Sequence, residues 1–201
     1  MIYVFATFEK TGNLKYISHL DLQRAFTRLL LRSGLPVVFS EGFNPHPKLT
    51  FAQPLSIFQE SVCEIAEFRL PEPTDENAVL DALRAASPEG LTFRGVEFSE
   101  KKLRPCTAAR YELTFRTELD AGEIEALFAG ALPVTKKTKT REVTVDLSPL
   151  VREKQFEKID GGVKMTCLLP CGNDYLNPNY LSLAIENRAE TVRILRAALF
   201  F

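Results

Sequence analysis

The stretch IYVFATFEKTGNLKYISHLDLQRAFTRLLLRSG, residues 2–34, decides the fold class because it passes once from a two-residue to a helical period. Tyr3, Phe5 and Thr7 fall on one face of residues 2–8, and Ile2, Val4, Ala6 and Phe8 on the other. Apolar residues on both faces predict a strand with neighbours on each side. Residues 10–16 turn around Thr11-Gly12-Asn13. Ser18, with Asp21 three residues on, is a variant of the capping box and opens a helix. Leu22, Ala25, Phe26, Leu29 and Leu30 line one face of it. Ser33-Gly34, with Pro36 just beyond, stops it.

The pattern continues outward from there. A short strand is expected at 37–39, a loop at 40–48, an extended piece at 49–52 and a long strand at 61–70. Thr74 or Asp75 then caps a helix over 76–86, and a strand follows at 91–98. That order, β-α-β-β-α-β, is the ferredoxin-like one. The second half starts again with a strand at 111–117. A helix follows at 120–131, with Ile124, Leu127 and Phe128 inward. A basic stretch then runs into a strand at 142–147. Residues 154–159 and 163–169 form a hairpin about Asp160-Gly161-Gly162. A helix over 179–185 and an apolar tail over 192–201 complete it. The expectation is an α+β protein of two ferredoxin-like halves with antiparallel sheets, residues 1–104 and 105–201.

Hydrophobic residues make up 45% and charged residues 25% of the 201, which predicts a folded chain. The net charge of −1 excludes a global basic footprint, so any nucleic-acid case rests on local patches. Residues 56–100 hold ten acids against three arginines, so charge is polarised along the chain. The first residues lack a basic region followed by an apolar run, and no stretch reaches the ~18 apolar residues of a membrane span. A cytoplasmic protein without membrane contact is expected. Cys63, Cys106, Cys167 and Cys171 are scattered, and only the last two are close, in CLLPC. They supply neither a closed zinc set nor a cluster's ligand run, so no metal or other cofactor is expected. Phosphate loops and the hydrolase and zinc-protease motifs are missing.

Three constellations remain. Arg24, Arg28 and Arg32 recur every four residues along the first helix, with no acid between Asp21 and Glu41. A solvated face would explain them, and so would forked contacts to phosphate. Ser18 and His19 sit at that helix's N-terminus, where N–H groups favour anions. The second constellation is the loop Glu41-Gly42-Phe43-Asn44-Pro45-His46-Pro47-Lys48, stiffened by prolines on both sides of His46. It is either a rigid turn or a ligand platform. In the third, Lys136, Lys137, Lys139 and Arg141 alternate with threonines. They form a protected edge strand or a patch that binds RNA.

The runs KYISHLDLQRAFTRLLLRSGLP (15–36) and FSEGFNPHPKLTFAQPL (39–55) resemble the signature of the radical-SAM-linked protein family, domain of unknown function 2344. The match is close over residues 1 to about 70 and loose beyond. Members share an SHLD…R…R helix followed by a GFNPHPK loop. They stand alone or follow a radical-SAM module. The resemblance implies a radical-SAM partner and a setting connected with ribosomes and RNA processing, with no established reaction. Where the family continues PLPLG, this chain has Pro54-Leu55-Ser56-Ile57-Phe58, so a phenylalanine stands at the glycine of an expected tight turn.

The expected function is an accessory or substrate-binding protein that works with a radical-SAM enzyme and binds RNA or another phosphate-bearing substrate. Ser18, His19, Asp21, Arg24, Arg28, Asn44, His46 and Lys48 would form one site, with the two histidines meeting in space. The alternative is a stand-alone RNA-modifying or RNA-cleaving enzyme with a histidine as general acid or base.

Overall fold

The structure, a computed structural model, describes residues 1–137 and 142–201, with the main chain alone at 136 and 137. It divides into two compact units, Met1–Cys106 with Phe201, and Thr107–Phe200.

In the first unit, β1 (Ile2–Lys10) leads through a 3-10 turn into α1 (His19–Arg32), then β2 (Thr50–Phe51), β3 (Glu60–Leu70), α2 (Glu76–Ala86) and β4 (Leu91–Ser99). The sheet runs β4-β1-β3, with β2 pairing β3, and every pair is antiparallel. Its strand period separates two faces. Val4, Ala6 and Phe8 are buried under the helices with Leu22, Phe26, Leu29 and Leu30 of α1 and Val79 and Leu83 of α2. Phe26 lies at the centre, its ring 5.4 Å from Phe8 and Phe51 and 5.5 Å from Phe93. α1 ends where the sequence places its stop. Ser33 is the C-cap, and Gly34 takes the left-handed φ of +71° that closes the last turn.

The expected strand at 37–39 is the clearest departure. Among the described residues it forms one bridge, Phe39 with Pro47, with Lys48 N–H donating to the Val38 carbonyl (3.0 Å), and Val38 N–H donates to the Arg69 carbonyl (2.8 Å). Pro36, Pro45 and Pro47 supply no N–H in this stretch, so a regular ladder cannot form. The pairing with β3 passes to Thr50–Phe51 instead.

The second unit contains β5 (Ala108–Arg116), α3 (Ala121–Leu127), β6 (Pro133–Lys137), β7 (Glu142–Asp146), β8 (Arg152–Ile159), β9 (Gly162–Pro170), α4 (Asn179–Ile185) and β10 (Glu190–Phe200). Its strand order is β10-β5-β9-β8, all antiparallel, and β6 and β7 pair as a separate ribbon. Tyr111, Leu113 and Phe115 of β5 and Val163, Met165, Cys167 and Leu169 of β9 form the core with Ile124 and Phe128.

α3 is shorter than the sequence pattern suggests, ending at Leu127 with Phe128 as C-cap. Its start is a full capping box, Asp120 and Glu123 each bonding the other's main-chain N–H at 2.8 Å. Because a seven-residue helix has little propagation to sustain it, this start carries much of its stability. Asp120→Ala is expected to cost about 1 kcal/mol in urea unfolding. A loss below a few tenths would mean that packing of Ile124 and Phe128 alone holds the helix.

Among the described residues, no helix is long and apolar enough to cross a membrane. The four cysteines form no disulfides. Burial pushes the Cys167 thiol up to about 12, so it stays protonated and is no nucleophile.

Candidate functional site

At the start of α1, Ser18 is the N-cap. Its Oγ accepts from Asp21 N–H (3.1 Å) and donates to Asp21 Oδ2 (2.7 Å). The Ser18 hydroxyl holds the Asp21 carboxyl below its usual range, desolvation opposes it in part, and the Arg24 guanidinium adds to the lowering. The contribution of that carboxylate is therefore present near neutral pH and is lost as pH falls through its lowered folded pKa. The positive end of the helix is thus already met by a carboxylate of the chain itself.

The arginine row is used unevenly. Arg24 pairs with Asp21 at 3.1 Å. Arg32 donates to the Ala86 carbonyl at the end of α2 (2.9 Å). Arg28 is exposed.

His19 is half-buried, with its ring edge-on to Phe51 at 5.3 Å. His46 stands in a polar, exposed setting at the tip of a short hairpin. Ser40 N–H donates to the His46 carbonyl (2.8 Å), and Lys48 N–H donates to the Val38 carbonyl (3.0 Å). The Ser40 hydroxyl accepts from His46 N–H (3.1 Å) and lies 2.9 Å from His46 Nδ1, which is also 3.3 Å from the Asn44 carbonyl. One ring nitrogen is thereby occupied and the ring is oriented. Phe43 and Asn44 are exposed at the tip, and Lys48 is half-buried at its base.

Strand register spaces the two blocks. Phe51, which carries His19, pairs with Ala66, while Val38 at the hairpin base bonds Arg69. Three residues along a strand is about 10 Å. His19 rests on an apolar ring and His46 in a polar lock, so the two blocks have different local chemistry. Of the basic ribbon, Lys139 and Arg141 lie outside the described residues. For Lys136 and Lys137 the main chain lies in β6, opposite Val143 and Glu142.

Several features escaped the sequence reading. Phe58 occupies the expected glycine position with φ +67°, so the tight turn is kept despite the side chain. A left-handed L-residue costs about 1–2 kcal/mol. Phe58 N–H is tied to the Lys15 carbonyl, and its exposed ring meets exposed Tyr16 edge-on at 6.0 Å. Lys10, which the pattern places in a turn, is the buried last residue of β1 and donates to the Gln59 carbonyl (3.3 Å). Glu64 of β3 is also buried. No local signal separates such residues from solvated ones, because their burial comes from what packs over them.

A family described as an uncharacterized protein conserved in bacteria, domain of unknown function 2344, matches residues 4–178. The chain belongs to that family. The match extends well past the two signature blocks and covers most of both units. No curated protein matches. Among solved structures, the chain is similar to a chain of the crystal structure of a Cbf5-Nop10-Gar1 complex, at 12% identity and a TM-score of 0.50. That match covers 98% of this chain and 48% of the other, so this chain spans about half the length of its relative. The likeness is one of α+β fold. A structure of an unknown protein from Galdieria sulphuraria is 14% identical with a TM-score of 0.26, covering 95% of this chain and 98% of that one.

Proposed function

We propose that the chain is an accessory, substrate-binding protein that works with a radical-SAM enzyme and holds RNA or another phosphate-bearing substrate. In this reading the 38–48 hairpin tip and the exposed side of α1 make the contact, through Asn44, His46, Lys48, Arg24 and Arg28. The observation that carries it is the hairpin lock. Ser40 fixes His46 through both main chain and ring, and the tip it stiffens leaves Phe43 wholly exposed. A rigid tip whose residues 41–46 are all exposed is organised for a partner. The radical-SAM relation is supported by the SHLD and GFNPHPK blocks. The strand orders of the two units support reading each as ferredoxin-like, the second with the β6–β7 ribbon inserted.

The test compares Phe43→Ala and His46→Ala with the parent protein. Phe43→Ala is expected to leave stability within about 0.5 kcal/mol, as for other surface changes. Both are expected to abolish co-purification of RNA and of the radical-SAM partner from native cells. Retained capture by both variants would remove the hairpin from the interface. One observation favours the enzyme reading as well: an imidazole held through Nδ1 is oriented for acid–base work at its other nitrogen. Turnover of RNA by the purified protein, lost in His46→Ala, would select that reading.

A further inference from the structure

The helices cover one face of the first unit's sheet, and the other face carries a different chemistry. Cross-strand register places Ser99, Tyr3 and Arg69 in one row, Glu97, Phe5 and Glu67 in the next, and Gly95, Thr7 and Ile65 in a third. The Arg69 guanidinium lies over the Tyr3 ring at 4.7 Å. Residues 101–104 run beside these rows, pinned by Leu103 N–H, which donates to Glu67 Oε2 at 2.8 Å. A cavity of about 420 Å³ opens there, with Phe5 and Phe201 among its walls and Lys101, Lys102 and Arg104 at its rim. A second cavity, of about 270 Å³, adjoins it and shares Lys102, Leu103 and Arg104.

The charges are the informative part. Arg24, Arg84, Arg94, Arg110, Arg116 and Lys164 each have a carboxylate partner. Lys101, Lys102 and Arg104 are exposed and form no ion pair among the described residues, and neither does Glu97 on the cavity's wall. One small space therefore offers an aromatic floor, a free carboxylate and three free cations. Those are the complements of a base, of its hydrogen-bond donors and of its phosphates.

We infer that this sheet face binds single-stranded nucleic acid, with a base stacked on Phe5, its donor edge on Glu97 and the backbone phosphates on Lys101, Lys102 and Arg104. Guanine suits the carboxylate best, because its N1–H and 2-amino group lie side by side and match two acceptor oxygens. Uracil offers no such donor pair. Duplexes are excluded because their bases are stacked inside and cannot reach the floor. This site is distinct from the hairpin and helix surface of the proposed function, and either can fail alone.

The experiment is a fluorescence-anisotropy titration of the full chain at several salt concentrations. Its probes are a ten-nucleotide uridine tract, the same tract with one central guanosine, the matching DNA strands and a duplex. The guanosine strand is expected to bind several-fold tighter than the plain tract, and the duplex far more weakly. The triple variant Lys101→Ala, Lys102→Ala, Arg104→Ala is expected to lose about tenfold or more in affinity and about two units of salt slope, at ~0.7 per phosphate contact. Glu97→Ala is expected to erase the guanosine preference while leaving the uridine tract bound. Phe5→Leu, which keeps an apolar group on the half-buried position, is expected to weaken binding about fivefold or more without changing the slope. An unchanged triple variant, equal affinity for the duplex, or no single-strand binding by the parent protein would overturn the inference. Binding that is lost in His46→Ala yet intact in the triple variant would overturn it while leaving the hairpin reading standing.

Discussion

Phe26→Ala is expected to destabilise the first unit by about 3–5 kcal/mol, the range for removing a fully buried phenylalanine. Phe26 has no exposed surface, and its ring faces Phe8, Phe51 and Phe93, which belong to β1, β2 and β4. The cavity left behind cannot be filled by one neighbour moving, since those rings are held on paired strands. In a chain of this length the loss corresponds to a fall in Tm of roughly 10 °C. Phe26→Leu, which restores most of the volume, should recover more than half of it. The measurement is urea unfolding followed by amide exchange localised to α1 and β1. A loss below about 1.5 kcal/mol for Phe26→Ala would mean that α1 does not bear on the sheet as described.

Gly162→Ala is expected to be as damaging in the second unit, for a different reason. A Cβ on Gly162 would stand 1.9 Å from the Phe115 carbonyl oxygen and 3.0 Å from its carbon, both main-chain atoms on the facing strand. Gly162 pairs with Arg116 on β5 and with Ile159 on β8, so neither side of the ladder can yield without breaking pairs. Overpacking of this kind costs about 3 kcal/mol or more when backbone must move. Its neighbour separates space from conformation. Gly161 has φ +70° with nothing within 4 Å of its Cβ position. Gly161→Ala should therefore lose only the left-handed strain, about 1–2 kcal/mol. Equal losses at the two positions in chemical denaturation would show that turn conformation, not close approach, governs this hairpin.

The two cases show which parts were legible in advance. Phe26 could be placed in the core from its spacing with Leu22, Leu29 and Leu30, because helical period is a local property. Asp160-Gly161-Gly162 could be read as a turn for the same reason. The separate task of Gly162 could not, since the atom it must avoid belongs to Phe115, far away in sequence. The candidate site divides along the same line. The Ser18 cap was readable, whereas the pairing of Arg24 with Asp21 and the diversion of Arg32 to Ala86 depend on side-chain reach and on where α2 ends.

By itself, the sequence determined the strand-helix alternation, the caps, the stop at Gly34, the two faces of β1 and the signature blocks by which family membership could be recognised. Each rests on residues within about four positions of one another, where backbone geometry and side-chain period leave few choices. Only the tertiary structure decided that β2 replaces the expected strand at 37–39, and that Lys10 and Glu64 are buried. It also decided that His46 is locked by Ser40 while His19 rests on Phe51. The same holds for residues 101–104, at the end of the first half expected from the sequence. Tied to Glu67 from another strand, they become the charged rim of a cavity. Those outcomes depend on which segments come to lie side by side, and burial, pairing and free charge are properties of that arrangement rather than of any short stretch of chain.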